Sequence, residues 1–247
     1  IKDQTIIFNL SESFANPKRV PDISLNSNPI PTIDNLKSKT TSGLMMSSGY
    51  GGGTANMEYM TLTGLATCNF SPTLSSPYSQ LVPHQTYTPT ILNSFDYSVA
   101  IHPYTSEFYN RKLNYKKFGF DRFYSLDNKK YQIKHKKTID NNEYQSDETA
   151  YDNLMDELRR HRGGQFINLI TMQNHLPYDH LYKKKAVTAK VRNHTSKQEL
   201  ENYATGIHYT DKAVAKAIDE INNISRPITL VFYGDHLPGA IEIESFR

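Results

Sequence analysis

Short apolar runs alternate with longer amphipathic stretches along the whole chain. The apolar runs predict strands at 5–10, 43–47, 97–101, 165–172 and 228–233, and the stretch 118–124 is predicted as the end of a helix followed by a strand. The helical spacing of apolar residues predicts helices at 32–39, 55–65, 90–94, 113–119, 148–162 and 199–223. Because strand and helix patterns alternate, we expect an α/β fold with a mainly parallel central sheet.

Residue types at two helix starts predict N-caps, Thr32 for the helix at 32–39 and Asp147 for the helix at 148–162. The chain has 247 residues, no internal repeat and no clear linker. This length is enough for one large α/β domain with a sizeable core, so we expect a single domain over 1–247.

The segment 48–59 contains three consecutive glycines, 51–53, followed by Thr54 and a helical stretch. Glycines permit positive φ and the close approach of another group. A hydroxyl at that place lies beside the free N–H groups of a helix start, which suits a nucleophile that attacks phosphate. The same residues fit an ordinary loop with Thr54 as an N-cap, and both interpretations stay open. A P-loop is excluded because no Gly-Lys-Ser/Thr follows.

Charge and cysteine content narrow the function classes only slightly. The net charge of +3 is mildly basic and does not indicate a nucleic-acid partner. Lysines cluster at 129–137 and 183–190, which fits either solvated loops or a face turned to an anionic membrane. A single cysteine, Cys68, permits no intrachain disulfide and leaves the compartment open.

No apolar run is long enough to predict a membrane span, and no signal peptide is recognisable. The chain does not begin with Met. We therefore expect an excised domain whose targeting or anchoring segment lies upstream.

Titratable side chains follow several of the predicted strands, namely Glu12, His102, His175 and the pair Asp235-His236. Parallel strands bring their carboxyl ends to one edge of a sheet, so these groups can converge. Each alone also has an ordinary explanation. Glu12 fits a helix N-terminus, and a lone histidine is more often packed and hydrogen-bonded than catalytic.

The chemistry of the group is coherent if its members do converge. Glu12, Asp235 and His236 offer two oxygen ligands and one nitrogen, which suits Mn²⁺ or Zn²⁺, while the imidazole makes Mg²⁺ a poorer fit. A metal beside Thr54 would lower the pKa of its hydroxyl and activate it as a nucleophile. Arg111 offers a planar fork for phosphate oxygens.

The two remaining histidines, His102 and His175, could bind phosphate, and either could protonate a leaving oxygen.

Taken together, these residues resemble the lipoteichoic-acid-synthase-like phosphoglycerol transferases of the alkaline phosphatase/sulfatase superfamily. Five segments carry the resemblance, in matching order: Leu10-Ser11-Glu12-Ser13-Phe14, Gly51-Gly52-Gly53-Thr54-Ala55-Asn56, the span from His102 to Tyr109-Asn110-Arg111, Thr171-Met172-Gln173-Asn174-His175, and Phe232-Tyr233-Gly234-Asp235-His236. The resemblance implies an alkaline-phosphatase-like three-layer sandwich.

The resemblance also implies roles for particular residues. The implied metal ligands are Glu12, Thr54, Asp235 and His236. Thr54 is further implied as the nucleophile that becomes phosphoglycerylated. The implied pocket for glycerol phosphate consists of His102, Tyr109, Arg111 and His175. The family uses Mn²⁺ or a similar ion, takes phosphatidylglycerol as donor and works on the extracellular side of the membrane to which it is anchored.

Three departures point to a sister branch of that family. The glycine turn before Thr54 differs from that of the lipoteichoic acid synthases, Tyr109 stands in place of a tryptophan, and His102 is followed by Pro103 in place of a glycine. These differences leave the acceptor open, with a glycolipid or a glycan as the expected class. The family's domain continues past the Asp-His pair, so a chain that stops at Arg247 is expected to lack a C-terminal portion.

Other functions on this fold remain alternatives. A sulfatase needs a Cys or Ser in a C/S-x-P-x-R type motif, which the segment 68–72 lacks, whereas a phosphodiesterase stays possible. Phosphoethanolamine transferases share the threonine and metal chemistry but usually carry disulfides. A non-catalytic module that binds glycerol phosphate, or a domain that has lost activity, is the remaining alternative.

Overall fold

A computed structural model describes residues 3–192 and 195–241. Its strands are β1 (Thr5–Ser11), β2 (Ile23–Leu25), β3 (Ser98–Ile101), β4 (Arg122–Tyr124), β5 (Gln165–Ile170), β6 (Ala189–Val191) and β7 (Ile228–Gly234). Its α-helices are α1 (Pro31–Lys39), α2 (Thr54–Thr63), α3 (Pro77–Gln80), α4 (Arg111–Phe118), α5 (Asp147–Arg160) and α6 (Lys197–Asn222). Short 3₁₀ turns lie at Pro17–Arg19, Thr67–Asn69, Val82–His84, Ile91–Ser94 and Phe108–Asn110. Arg247, on which the expectation of truncation rests, lies outside the described residues.

Five strands form one sheet in the order β4-β3-β5-β1-β7, and all of its neighbouring strands are parallel. β1 lies between β5 and β7, with Leu10 opposite Ile170 on one side and Ser11 opposite Gly234 on the other. The carboxyl ends of these three strands therefore meet at one edge of the sheet, where open α/β sheets bind ligands. β2 and β6 form a separate antiparallel pair.

Side chains of the sheet alternate between two buried cores, because successive residues of a strand point to opposite faces. In β5, Ile167 and Leu169 pack in the first core, while Phe166 and Ile170 pack in the second. Apolar residues of α1, α5 and α6 join the first core, and those of α2, α3 and α4 join the second. The result is a sheet between two helical layers, which confirms the predicted α/β class.

The N-termini of two helices are capped differently from the prediction. The backbone N–H groups of Thr32 and Ile33 donate to the two carboxylate oxygens of Asp211, so a residue from α6 caps α1 and Thr32 does not. In α5 the N-cap is Ser146, whose hydroxyl accepts from the backbone N–H of Thr149, and Asp147 is the first helical residue. The prediction for Thr32 was wrong because the cap comes from a distant element. The prediction for Asp147 was wrong by one position.

Two predicted elements also differ. Residues 43–47 form no strand, and Leu44 and Met46 are exposed there. Residues 91–94 form a 3₁₀ turn, at whose start the Asn93 side chain accepts from the backbone N–H of Thr90 at 2.9 Å. The stretch 118–124 is confirmed as a helix end followed by a strand, because α4 ends at Phe118 and β4 extends the sheet beside β3.

None of the helices within residues 3–192 and 195–241 combines the length and the apolar character that a bilayer crossing needs.

Candidate active site

The predicted metal ligands meet at the carboxyl edge of the sheet. Glu12 follows β1 directly, and Asp235 and His236 follow β7. Because β1 and β7 are paired up to Ser11 and Gly234, their next residues emerge side by side. One ligand atom from each of Glu12, Asp235 and His236 lies within 4.8 Å of the others, and all three residues are buried.

A tight turn after Glu12 links the two strand ends. Ser13 has a φ of 51°, in the left-handed region, and its backbone N–H donates to Asp235 Oδ1 at 2.7 Å. Its hydroxyl donates to Glu12 Oε1 at 2.8 Å. The chain packs so closely here that a Cβ on Gly234 would overlap the carbonyl oxygen of Phe14. Backbone geometry therefore fixes where both carboxylates lie.

The hydrogen bonds of His236 leave its Nε2 available to a cation. Nδ1 lies 3.0 Å from the carbonyl oxygen of Leu237 and donates to it, so Nε2 is the ring nitrogen that faces the two carboxylates. Nε2 lies 3.2 Å from Asp235 Oδ2 and 3.5 Å from Glu12 Oε1.

Asp235 Oδ2 is buried and accepts no hydrogen bond. Burial, and then the neighbouring Asp235 carboxylate, raise the pKa of Glu12 above its ordinary value. A buried acceptor without a donor, beside a second carboxylate and an imidazole, is the donor set that a divalent cation satisfies. The residues present therefore fit a metal ion.

The glycine turn brings Thr54 to this group. Gly51 N–H donates to the carbonyl oxygen of Leu237 at 2.9 Å, so the turn packs on the loop that follows β7. Gly53, with a φ of 101°, is the N-cap of α2, and Thr54 is the first helical residue. Thr54 is thus not the N-cap. Its buried Oγ1 lies 3.4 Å from Glu12 Oε2 and 3.4 Å from His236 Nε2.

Arg111 begins α4 and has only 1% of its surface exposed. Its Nε and Nη2 donate to Glu58 Oε2 at 3.1 and 2.9 Å. Its Nη1 donates to His102 Nε2 at 3.2 Å and to the carbonyl oxygen of Phe108 at 3.3 Å. Burial by itself lowers the pKa of Arg111, but Glu58 and nearby hydroxyls outweigh it and raise the pKa overall.

His102 is fully buried and contacts the site through Arg111. Its Nδ1 lies 3.2 Å from the carbonyl oxygen of Ile170 and donates to it, which leaves Nε2 to accept from Arg111. Burial, and then the Arg111 charge, hold the pKa of His102 well below its ordinary value. His102 is therefore a neutral imidazole with both nitrogens engaged.

Tyr109 and His175 border the same space. Tyr109 has a φ of 56°, its ring lies 5.2 Å from the Arg111 guanidinium carbon, and its hydroxyl bonds the backbone of Gly53. His175 is half-buried, and its Nδ1 donates to the carbonyl oxygen of Leu176 at 2.7 Å. Burial lowers the pKa of His175, and His236 adds to that effect. The structure thus gathers all the residues singled out from the sequence into one region.

Glu58 is a buried member of this region that the sequence analysis missed. It is the only charged residue of α2, and it accepts from Tyr78 and Tyr115 hydroxyls as well as from Arg111. A lone carboxylate in an otherwise uncharged helix, one turn after a candidate nucleophile, is the signal that could have identified it.

A protein-family model identifies the family to which this chain belongs. The model described as "Sulfatase" matches residues 4–245. The chain belongs to the sulfatase family. This sulfatase-family chain is also 33% identical over 241 residues to a "Putative cyclic beta-1,2-glucan modification protein" of Rhizobium meliloti, and 27% identical over 233 residues to the "Capsular polysaccharide biosynthesis protein RkpI" of the same organism. The two matches cover 94% and 92% of this chain, but only 35% and 40% of the length of the two relatives.

Solved structures of phosphoglycerol transferases resemble the sulfatase-family chain. The Streptococcus pyogenes phosphoglycerol transferase GacH, in complex with sn-glycerol-1-phosphate, superposes with a TM-score of 0.92 at 37% identity, over 99% of this chain and 64% of GacH. The lipoteichoic acid synthase LtaP from Listeria monocytogenes gives a TM-score of 0.72 at 25% identity, over 95% of this chain and 56% of LtaP. The predicted resemblance to this group of the alkaline phosphatase superfamily is confirmed.

Proposed function

We propose that this chain transfers glycerol phosphate from phosphatidylglycerol to a cell-envelope acceptor through a phosphothreonine at Thr54. The observation that carries the proposal is the position of the Thr54 hydroxyl, buried and 3.4 Å from both Glu12 and His236. The likeness to GacH, whose structure holds sn-glycerol-1-phosphate, supports glycerol phosphate as the transferred group.

Glu12, Asp235 and His236 would hold a divalent cation, with Thr54 as a fourth ligand. Mn²⁺ is the proposed ion, because it accepts both carboxylate and imidazole ligands, and Zn²⁺ or Mg²⁺ are the alternatives. When bound, such an ion lowers the pKa of a neighbouring hydroxyl and draws negative charge from phosphate oxygens.

In the first step, Thr54 reacts in its ionised form, after its hydroxyl proton has passed to solvent, and its Oγ1 forms a bond to phosphorus while the bond from phosphorus to the diacylglycerol oxygen breaks. Arg111 and Tyr109 orient the phosphate, and His175 supplies the proton for the leaving oxygen. In the second step, neutral His175 takes the proton of the acceptor hydroxyl as the acceptor oxygen bonds to phosphorus, and the bond from phosphorus to Thr54 Oγ1 breaks so that Thr54 leaves in its ionised form. His102, with both nitrogens engaged, acts by holding Arg111.

A glycan or glycolipid is the proposed acceptor. Beside His175, the rings of Tyr104, Phe108 and Tyr144 contact one another or His175 at centroid distances of 5.0 to 6.2 Å, and all three are half-buried. Half-exposed aromatic rings suit the apolar faces of sugar rings, with hydroxyls at their edges for orientation. Both Rhizobium relatives carry polysaccharide names, which supports the same class.

We also propose that the domain works at the extracellular face of the membrane, held there by an anchor outside this chain. The reason is the donor, since phosphatidylglycerol presents its headgroup at a membrane surface.

Mass spectrometry of the protein after incubation with phosphatidylglycerol and Mn²⁺ tests the proposal. We expect an adduct with the mass of glycerol phosphate on Thr54, and no adduct in the Thr54→Ala variant. Absence of an adduct, with release of diacylglycerol also absent, would contradict the function.

Hydrolysis is the second candidate, because the matching family model is named for hydrolases. Water would then replace the acceptor in the second step. Free glycerol phosphate that accumulates at the same rate with and without added glycan acceptor would favour a phosphodiesterase over a transferase.

A further inference from the structure

Glu58 is the most thoroughly hydrogen-bonded carboxylate near the site. It is fully buried in α2, one helical turn after Thr54. Its Oε2 accepts from Arg111 Nε and Nη2, and its Oε1 accepts from Tyr78 at 2.8 Å and from Tyr115. Every acceptor position of the carboxylate thus faces a donor from another element.

These bonds leave the Arg111 guanidinium almost no freedom. Two of its nitrogens are tied to Glu58, and Nη1 is tied to His102 and to the Phe108 carbonyl. Two N–H groups that donate to one carboxylate oxygen, with further acceptors on Nη1, fix the plane of the guanidinium as well as its position.

Glu58 and Thr54 are on the same short helix, so the plane of Arg111 is fixed relative to the nucleophile itself. A buried ion pair is weak evidence of a purely stabilising role, because well-packed apolar side chains of similar volume often serve stability equally well. The arrangement fits a need for orientation near the reacting phosphate.

We infer that Glu58 is a positioning residue, which holds Arg111 in the orientation that receives the phosphate of the donor at Thr54. The inference rests on the proposed function. Glu58 does not touch the substrate and acts through Arg111. Removal of its charge should therefore weaken phosphate recognition and leave the cation site, formed by other residues, unchanged.

The test compares Glu58→Gln with a matched control, Glu157→Gln. Glu157 is a buried carboxylate that likewise accepts from an arginine, Arg160, and a tyrosine hydroxyl, Tyr97. Tyr97 precedes β3, so this second trio lies at the amino edge of the sheet, opposite the site. Any effect of losing a buried carboxylate on stability alone should appear in both variants.

Isothermal titration calorimetry measures the affinity of each variant for sn-glycerol-1-phosphate in the presence of Mn²⁺, and for Mn²⁺ by itself. We expect Glu58→Gln to weaken glycerol phosphate binding about 10- to 100-fold, as loss of outer partners does at other sites. Its Mn²⁺ affinity should stay within about twofold of the wild type, and Glu157→Gln should change neither. Equal weakening of both ligands, or no weakening of glycerol phosphate, would overturn the inference.

A double-mutant cycle with Arg111→Gln measures the coupling between the two residues in glycerol phosphate binding, which a purely structural role of Glu58 would not produce. If Glu58 acts through Arg111, Glu58→Gln should weaken glycerol phosphate binding little further in the Arg111→Gln background. Independent, additive losses would argue against action through Arg111.

The same experiments distinguish failure of the proposed function from failure of the Glu58→Gln variant to fold. If the wild type binds no glycerol phosphate and forms no adduct on Thr54, the proposed function fails, whatever Glu58 does. If Glu58→Gln does not fold, Tyr115→Phe carries the test, because it removes one donor from Glu58 and keeps the ring. Weaker glycerol phosphate binding with unchanged Mn²⁺ binding then supports the inference, and no change in either overturns it.

Discussion

Thr54 Oγ1 lies 3.4 Å from His236 Nε2, although 182 residues separate the two in the chain. The contact exists because the glycine turn before Thr54 packs on the loop after β7, where Gly51 N–H donates to the Leu237 carbonyl oxygen. Thr54 is buried, so its hydroxyl faces Glu12 and His236 and not bulk solvent. This relationship is the structural basis for treating Thr54 as the nucleophile.

Replacing the Thr54 hydroxyl should abolish transfer. We expect Thr54→Ala to reduce kcat by about 10⁴-fold or more, as loss of a covalent nucleophile does in other enzymes. Thr54→Ser keeps the hydroxyl and should retain measurable activity. Release of diacylglycerol from phosphatidylglycerol measures both, and an active Thr54→Ala variant would rule out the phosphothreonine route.

Asp235→Asn should weaken Mn²⁺ binding while it preserves the turn after Glu12. The amide oxygen can still accept from the backbone N–H groups of Ser13 and His236, but one charged ligand is lost. We expect affinity to fall by about 100-fold or more, since loss of outer partners alone costs 10- to 100-fold. Calorimetric titration of metal-free protein measures this.

Asp211→Asn is the matched control for that experiment. Asp211 is also a buried carboxylate that accepts from two backbone N–H groups, but it caps α1 and belongs to no cation site. Its Mn²⁺ affinity should equal that of the wild type. A similar loss in both variants would point to a general effect on folding.

Gly234→Ala should destabilise the protein because a Cβ would overlap the carbonyl oxygen of Phe14. A backbone atom cannot move aside as a flexible side chain can, so we expect a loss of about 2–3 kcal/mol in the free energy of unfolding. Gly43→Ala, where a Cβ would meet nothing within 4 Å, should change it by less than about 0.5 kcal/mol. Urea denaturation compares the two, and equal stability would show that the strand ends are less closely packed than described.

Asp147 should make stability depend on pH. It is fully buried, and burial raises its pKa from 3.8 to about 6. Thr210 donates to its Oδ2 at 2.6 Å, but its Oδ1 accepts no hydrogen bond. Between about pH 4 and 6 the folded protein therefore binds this proton more tightly than the unfolded chain does. The Asp147 contribution to the free energy of unfolding should fall by ~3 kcal/mol as pH rises through this range.

Asp147→Asn removes that titration. The wild type should be more stable relative to the variant at pH 4 than at pH 7, as measured by urea denaturation at several pH values. A difference between the two proteins that stays constant with pH would show that Asp147 does not titrate in this range.

Local sequence determined most of the secondary structure. The apolar runs of β1, β5 and β7 and the apolar stripe of α6 lie within a few residues of their predicted bounds. A sheet between two helical layers favours continuous apolar runs in its strands, and burial of one helix face gives an apolar stripe. The same reasoning found Glu12, Asp235 and His236, since parallel strands place their carboxyl ends together whatever their order in the chain.

Tertiary structure decided which partners those residues take. Asp211 caps α1 from 179 residues away, and no local pattern at Thr32 indicates it. The sequence predicts that the Arg111 guanidinium binds phosphate. In the structure, most of its N–H groups already donate to Glu58 and His102. Such contacts join elements distant in the chain, and they depend on strand order and helix packing, which local periodicity does not encode. The sequence therefore specified the chemical groups, and only the packed sheet and helices decided which of them meet.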